Sequence, residues 1–388
     1  MGIQKIFIIF FIILIMPQCI YGEQVEELLD KQLENINFSS IEDTITKIKN
    51  QTENPYLEKF SFKEIVTKAV KGEIDFSIHN IIKGIIALFT YEVKSYIGFI
   101  GKLLIISMFC ALLSNLAESF QSKSTSQVGF YVCYMVIIIL LLQSFQIALQ
   151  VSSSAIENMV LIMQSAMPML LSLMMTSGAV TTGTIFEPVI LLSIQTIAMF
   201  ISELLLPIIF LTVVLAIINS LSKKEVLKKM LELFWEIIDW ILKGLTTLFI
   251  GIMAIHGLTT PILDGVVNNT AKQAVETFIP IVGKTLTGAV DIVMNCSMLI
   301  KNAVGVGAII LLCIYCVIPL IKMTIFLFIY KIIAALIQPI SEKRIVECIS
   351  NMGEACTRLF TSIITVNILF IISITILVGV GNMVSMIR

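Results

Sequence analysis

The sequence predicts an all-α polytopic integral membrane protein. It would have about seven or eight transmembrane helices plus amphipathic surface helices, behind a signal peptide and a small helical extracytoplasmic segment. Three observations predict this. Of 388 residues, 57% are hydrophobic and 14% charged, against about 25% charged in soluble domains, which is too few to cover a water-facing surface. From Ile81 onward, long apolar runs alternate with short polar joints. Lysines gather in those joints rather than inside the runs.

The charge balance excludes one class of function. With 26 Lys+Arg against 27 Asp+Glu the net charge is −1, so no basic surplus exists to neutralise phosphates, and no nucleic-acid partner is expected. The eight cysteines do not form the framework of a small secreted scaffold, because Cys110, Cys133, Cys313 and Cys316 lie inside apolar runs.

The N-terminus, MGIQKIFIIFFIILIMPQCIYGEQ, places one lysine before an apolar core from Ile6 to Met16. That core is short for a span, which needs about 20 apolar residues. Basic start, short core and small residue predict a signal peptide over 1–22, with an uncleaved anchor as the alternative. Residues 23–80 then begin outside the cytoplasm. Val25, Leu28, Leu29 and Leu33 mark one amphipathic helix. A second would start at a capping box formed by Ser61 and Glu64, bury Phe62, Ile65, Val66, Ala69 and Val70, and close at Gly72.

The membrane domain, 81–388, offers apolar segments at 97–116, 130–149 and 159–179. Pro188–Leu221 is too long for one span and short for two, so a tight pair, 188–203 and 204–221, is expected around Glu203 and Pro207. An amphipathic helix over 223–240 carries a polar stripe (Glu225, Lys228, Lys229, Glu232, Glu236, Asp239) and leads into a span at 241–258. Further segments lie at 302–321, 323–340 and 359–380. The lysines at 223–229 belong inside the cell by the positive-inside bias, and counting from an exported N-terminus agrees. The basic joint at Lys343–Arg344 should also be cytoplasmic. Counting puts it outside unless 323–340 is re-entrant or lies along the surface.

The run from Asn302 to Ile321 contains features that spell other chemistries. Lys301 and Lys322 bracket one hydrocarbon thickness and are expected to reach the headgroup layers. Gly305 and Gly307 read as close-packing points, since no full GxGxxG follows a strand. Cys313 and Cys316 form a CxxC in spelling only, without the cation or helix N-terminus that would lower a thiol pKa. Gly283-Lys284-Thr285 lacks the phosphate-loop glycine, since Phe278 stands in its place. The two histidines, His79 and His256, lie far apart, leaving no material for a metal site or a histidine-based triad. No catalytic, cofactor or metal residues are therefore expected. Ionisable residues inside apolar runs remain as candidate pore or partner contacts: Lys102, Lys331, Glu187 and Glu203.

Three stretches carry a resemblance: GAVTTGTIFEPVILL (178–192), SMLIKNAVGVGAIILL (297–312) and AALIQPISEKRIVECISNMGEA (334–355). In that order, behind a leader and a polar segment, the chain resembles the stage III sporulation protein AE family of endospore-forming bacteria. The resemblance implies a non-enzymatic membrane core component of a channel or secretion-like complex between mother cell and forespore, needed for late forespore development. Its expected partners are other stage III sporulation membrane proteins, a separate cytoplasmic ATPase and ring-forming proteins, all at the mother-cell-derived membrane around the forespore. The missing Walker motif suits a chain whose energy comes from a partner. A stand-alone secondary transporter or permease for a small solute is the alternative. It would need inverted repeats and a midplane site made by broken helices. Breaks occur near Pro168, Pro207 and Pro319, but two repeated halves are not apparent.

Overall fold

The computed structural model describes residues 23–51, 61–73, 78–119, 123–221, 226–278 and 283–386. The expected signal peptide lies outside the described residues. All regular structure among them is helical: α1 (Glu23–Glu34), α2 (Ser39–Gln51), α3 (Phe62–Lys71), α4 (Ile78–Ser119), α5 (Lys123–Thr176), α6 (Val180–Met199), a π-helical turn (Phe200–Leu205), α7 (Leu206–Leu221), α8 (Lys228–Phe278), α9 (Gly283–Ile337) and α10 (Lys343–Met386).

Six helical stretches are long and apolar enough to cross a membrane: 82–112, 134–176, 180–221, 228–255, 290–337 and 343–383. They are longer than the segments read from the sequence. The stretches 130–149 and 159–179 lie on one helix up to Thr176, and 302–321 and 323–340 are joined in α9. The amphipathic stretch and the span at 241–258 are joined in α8, with 222–225 outside the described residues. The polar joint at 152–158 does not break α5, because it holds neither glycine nor proline and the Ser152 hydroxyl donates to Ala148 O at 2.9 Å. Polarity alone is a weak helix stop. Proline is a stronger one, and at Pro207 the ring removes a donor and crowds the carbonyl four residues back, at Glu203. The helix answers with the π-turn over 200–205 rather than with a loop between two helices.

Side-chain contacts fix the order of levels along the bundle. Ser144 and Tyr330 share a hydrogen bond of 2.5 Å, and the Ser152 hydroxyl reaches Met323 Sδ at 3.5 Å, so α5 and α9 run antiparallel. Lys322 pairs with Glu92 at 3.7 Å, while Tyr96 and Phe99 pack on Phe326, so α4 runs parallel to α9. An Arg344 guanidinium N–H points at Leu221 O from 3.5 Å. The end of α7 and the start of α10 thus share one end of the bundle.

The N-terminal helices are a packed layer rather than a free arm. Ile41, Ile45 and Ile48 of α2 and Phe62 and Val66 of α3 are fully enclosed, with α2 against α5 and α3 against α9. The expected capping box does not form. Glu42 of α2 replaces it, accepting from the Ser61 hydroxyl at 2.9 Å and from the Lys63 N–H at 3.1 Å. Glu64 instead pairs with Lys68 at 2.7 Å, which raises that amine's pKa. The expected C-cap is present: Gly72 sits at φ 69°, its N–H on Ala69 O and the Glu73 N–H on Lys68 O.

Candidate functional site

Each of the three stretches that carry the resemblance holds a polar group used to join distant helices. In the first, Gly178 turns the chain at φ 94°, and α6 starts at once without a side-chain cap of its own. Its first N–H groups would be unsatisfied. Asp264, on α8 and buried, supplies the acceptor. The Thr181 N–H donates to Oδ1 and the Thr182 N–H to Oδ2, each at 2.8 Å, and the Thr182 hydroxyl also donates to Oδ2. A carboxylate at a helix N-terminus is favoured by the helix dipole as well. At the fourth residue of the helix, Gly183 lets α6 lie close to α5, where a Cβ would stand 2.9 Å from Met175 Cγ.

In the second stretch Lys301 does not reach a headgroup layer. It is 1% exposed, and its amine donates to Val378 O at 3.1 Å and Asn382 Oδ1 at 2.9 Å. The expectation for this bracket fails because α10 covers the position and offers two acceptors where lipid was expected. Lys322, the other bracket, is occupied by Glu92 across the α4–α9 contact. Gly305 does act as a packing point: a Cβ there would collide with Val378 Cγ2. Gly307 packs on the N-terminal layer, its Cβ position lying 3.0 Å from Val66 Cγ2 and 3.3 Å from Phe62 Cε2. Cys316 is buried and Cys313 exposed, both as free thiols.

The third stretch ends α9 and begins α10. Arg344 is clamped by Glu342 through Nε at 3.0 Å and Nη2 at 2.5 Å, and it is this fixed guanidinium that faces Leu221 O. Further along α10, Arg358 stacks over the Trp235 ring with Cζ 4.3 Å from its centroid. It lies 3.7 Å from both Asp239 of α8 and Glu354.

The sequence-predicted candidates are not brought together. Lys102 is exposed on α4, Glu203 is exposed in the π-turn, and Lys331 is exposed on α9. The Lys331 stem packs against α10, its Cγ 3.5 Å from the Cβ position of Gly353. Glu187 falls on α6, but its side chain lies outside the described residues. Among the described residues no group of three or more His, Cys, Asp or Glu is placed to hold a metal. Asp264, Glu92 and Glu42 carry interhelical contacts that sequence reasoning missed. The available signal for Asp264 was indirect: a helix start at Val180 with no capping residue before it.

Comparison with known proteins gives one consistent result. The family profile described as stage III sporulation protein AE matches residues 60–381. A similar protein, stage III sporulation protein AE of Bacillus subtilis (strain 168), is 30% identical over 369 residues, covering 95% of this chain and 92% of that one. No solved structure matches.

Proposed function

The chain belongs to the stage III sporulation protein AE family, and from that premise we propose that it is a non-enzymatic membrane core component of a channel or secretion-like complex between mother cell and forespore. A sporulation role follows from the family, and six helices are apolar enough to span a membrane. The finer assignment concerns what the membrane part does, with which partners and in which membrane. The complex would sit in the mother-cell-derived membrane around the forespore, with a separate cytoplasmic ATPase and ring-forming proteins as partners.

One observation carries the reading: three charged side chains in or against the family-like stretches are used in helix–helix contacts rather than gathered around a reaction centre. Asp264 caps α6, Lys301 is tied to α10 and Arg344 is held against the end of α7. Burying such groups is costly unless they are paired, and what they secure is the relative position of long helices. That suits a rigid wall in an assembly.

The orientation that fits best has six crossings from an extracytoplasmic N-terminus. α4 runs inward, α5 outward, α6–α7 inward, α8 outward, α9 inward and α10 outward. Both basic joints, at Lys228–Lys229 and at Lys343–Arg344, then face the cytoplasm, as the positive-inside bias requires. The Arg344–Leu221 contact supports this, since it puts both joints at one end of the bundle. No re-entrant segment is needed.

The test is a tagged full-length chain purified from sporulating cells in mild detergent. Co-purification of an ATPase and of ring-forming proteins is expected, together with loss of late forespore development when the gene is deleted. Recovery of the chain without partners, or its transport of a small solute when reconstituted alone, would contradict the reading.

A further inference from the structure

The exposed faces of the bundle differ in chemistry from one flank to the other. On α5 the exposed positions change character partway along the helix. They are Val132, Met135, Val136 and Ile139 in the earlier part. From residue 143 they become mainly polar: Gln143, Gln146, Gln150, Ser154, Glu157, Gln164 and Ser172, with Ile147, Leu161 and Pro168 exposed among them. The polar positions recur at intervals of three, four or seven to eight residues, so they lie on one face of the helix. Gln164 extends the polar surface to α6 through a 3.0 Å hydrogen bond from its amide to Gln195 Oε1. The polar face extends over roughly 45 Å at 1.5 Å per residue, longer than a hydrocarbon core of about 30 Å.

The exposed face of α8 is apolar at the same height. Asp264 meets Thr181 and Thr182, just past the end of α5, which levels α8 with α5. Counting back from that meeting point, Ile255 lies near the height of Gln164 and Leu248 near that of Glu157. Leu248, Ile252 and Ile255 are exposed on α8.

A bilayer placed anywhere along the apolar part of α5, from 130 to 176, must include part of the polar face. At its innermost placement, a slab about 20 residues thick over 130–149 already holds Gln143 and Gln146. The Ser172 hydroxyl is met within the helix by Pro168 O at 2.8 Å, but exposed side-chain amides keep hydrogen-bonding capacity that lipid cannot satisfy. They are well served by water.

We propose that the α5 face from Gln143 to Ser172 borders water within the membrane, as one wall of an aqueous path, while the α8 face at Leu248–Ile255 meets lipid. This rests on the conduit reading above and adds which flank is the wall. The occupant of the flank is water carrying a hydrated solute. The face has one charge, Glu157, and otherwise neutral groups, mostly hydrogen-bonding with Ile147, Leu161 and Pro168 between them, a lining that passes polar material without holding it tightly.

The experiment uses the full-length chain expressed in sporulating cells, with Cys313→Ser to remove the thiol exposed among the described residues. Single cysteines replace Gln150, Ser154, Glu157 or Gln164 on the proposed wall, Leu248 or Ile255 on the opposite flank, and Ile162 in the core. Opened membranes are treated with a sulfonated, membrane-impermeant maleimide, which reacts with hydrated thiols. Positions that still support heat-resistant spores are scored. Wall positions are expected to react at least ten-fold faster than Leu248→Cys, Ile255→Cys and Ile162→Cys. Equal protection of all positions overturns the proposal, as does efficient disulfide cross-linking between wall cysteines of two copies, which would make the face a protein interface. Protected wall positions in cells that sporulate normally overturn the wall alone. Normal sporulation after deletion of the gene overturns the conduit reading itself.

Discussion

Lys301 shows how a single residue departs from its expected place. Its amine is enclosed, and its two recorded acceptors both come from α10. Removing an acceptor should therefore harm more than removing the charge, because a stranded buried ammonium has lost its hydrogen bond. Asn382→Leu is expected to lower stability by about 2–3 kcal/mol, in the range of hydrogen bonds to charged groups. Lys301→Met, of similar length and apolar, should cost less. Thermal melting in detergent micelles orders the two, and the reverse order would show that Lys301 finds another acceptor. Asp264→Ala should cost about 1–3 kcal/mol, since two α6 N–H groups and a threonine hydroxyl lose their acceptor together. Gly305→Ala should cost about 1–3 kcal/mol by overpacking against Val378. The double variant with Val378→Ala should recover most of that loss.

At the scale of elements, α3 is the informative case. Its apolar spacing and its Gly72 stop were legible in the sequence, because both are set by residues within ten positions of each other. Its cap was not. Glu42 comes from another helix, about twenty positions before the start of α3, and the local Ser61–Glu64 spelling hid it. The same limit explains Asp264 and Lys301, whose partners lie some eighty positions away in sequence. Helix breaks were misread for a different reason. Polar joints suggested loops, yet a helix continues through serine and glutamate when nothing removes a backbone donor. The docking of α3 gives a direct prediction. Val66→Cys with Gly307→Cys should form a disulfide under mild oxidation, because the Gly307 Cβ position lies 3.0 Å from Val66 Cγ2. Absence of the cross-link in the folded chain would mean that the N-terminal layer is not seated on α9.

For the whole molecule, the fold class was legible from composition, because a chain with so few charges has no other way to bury its surface. The number of crossings was not, because apolar length sets only what can span. α5 and α9, at 54 and 55 residues, are each about 80 Å long, far more than one bilayer requires. Part of that surplus is covered by neighbouring helices and by the N-terminal layer, which a hydropathy reading cannot distinguish from lipid. Six crossings reconcile the basic joints with one another, and the conduit wall depends on that orientation. The most direct measurement is a pair of topology reporters fused after Lys228 and after Lys343, with a third at residue 280, in an otherwise intact chain. Six crossings predict cytoplasmic signals for the first two and an extracytoplasmic signal for the third. Reporters at Lys228 and Lys343 on opposite sides of the membrane would contradict it.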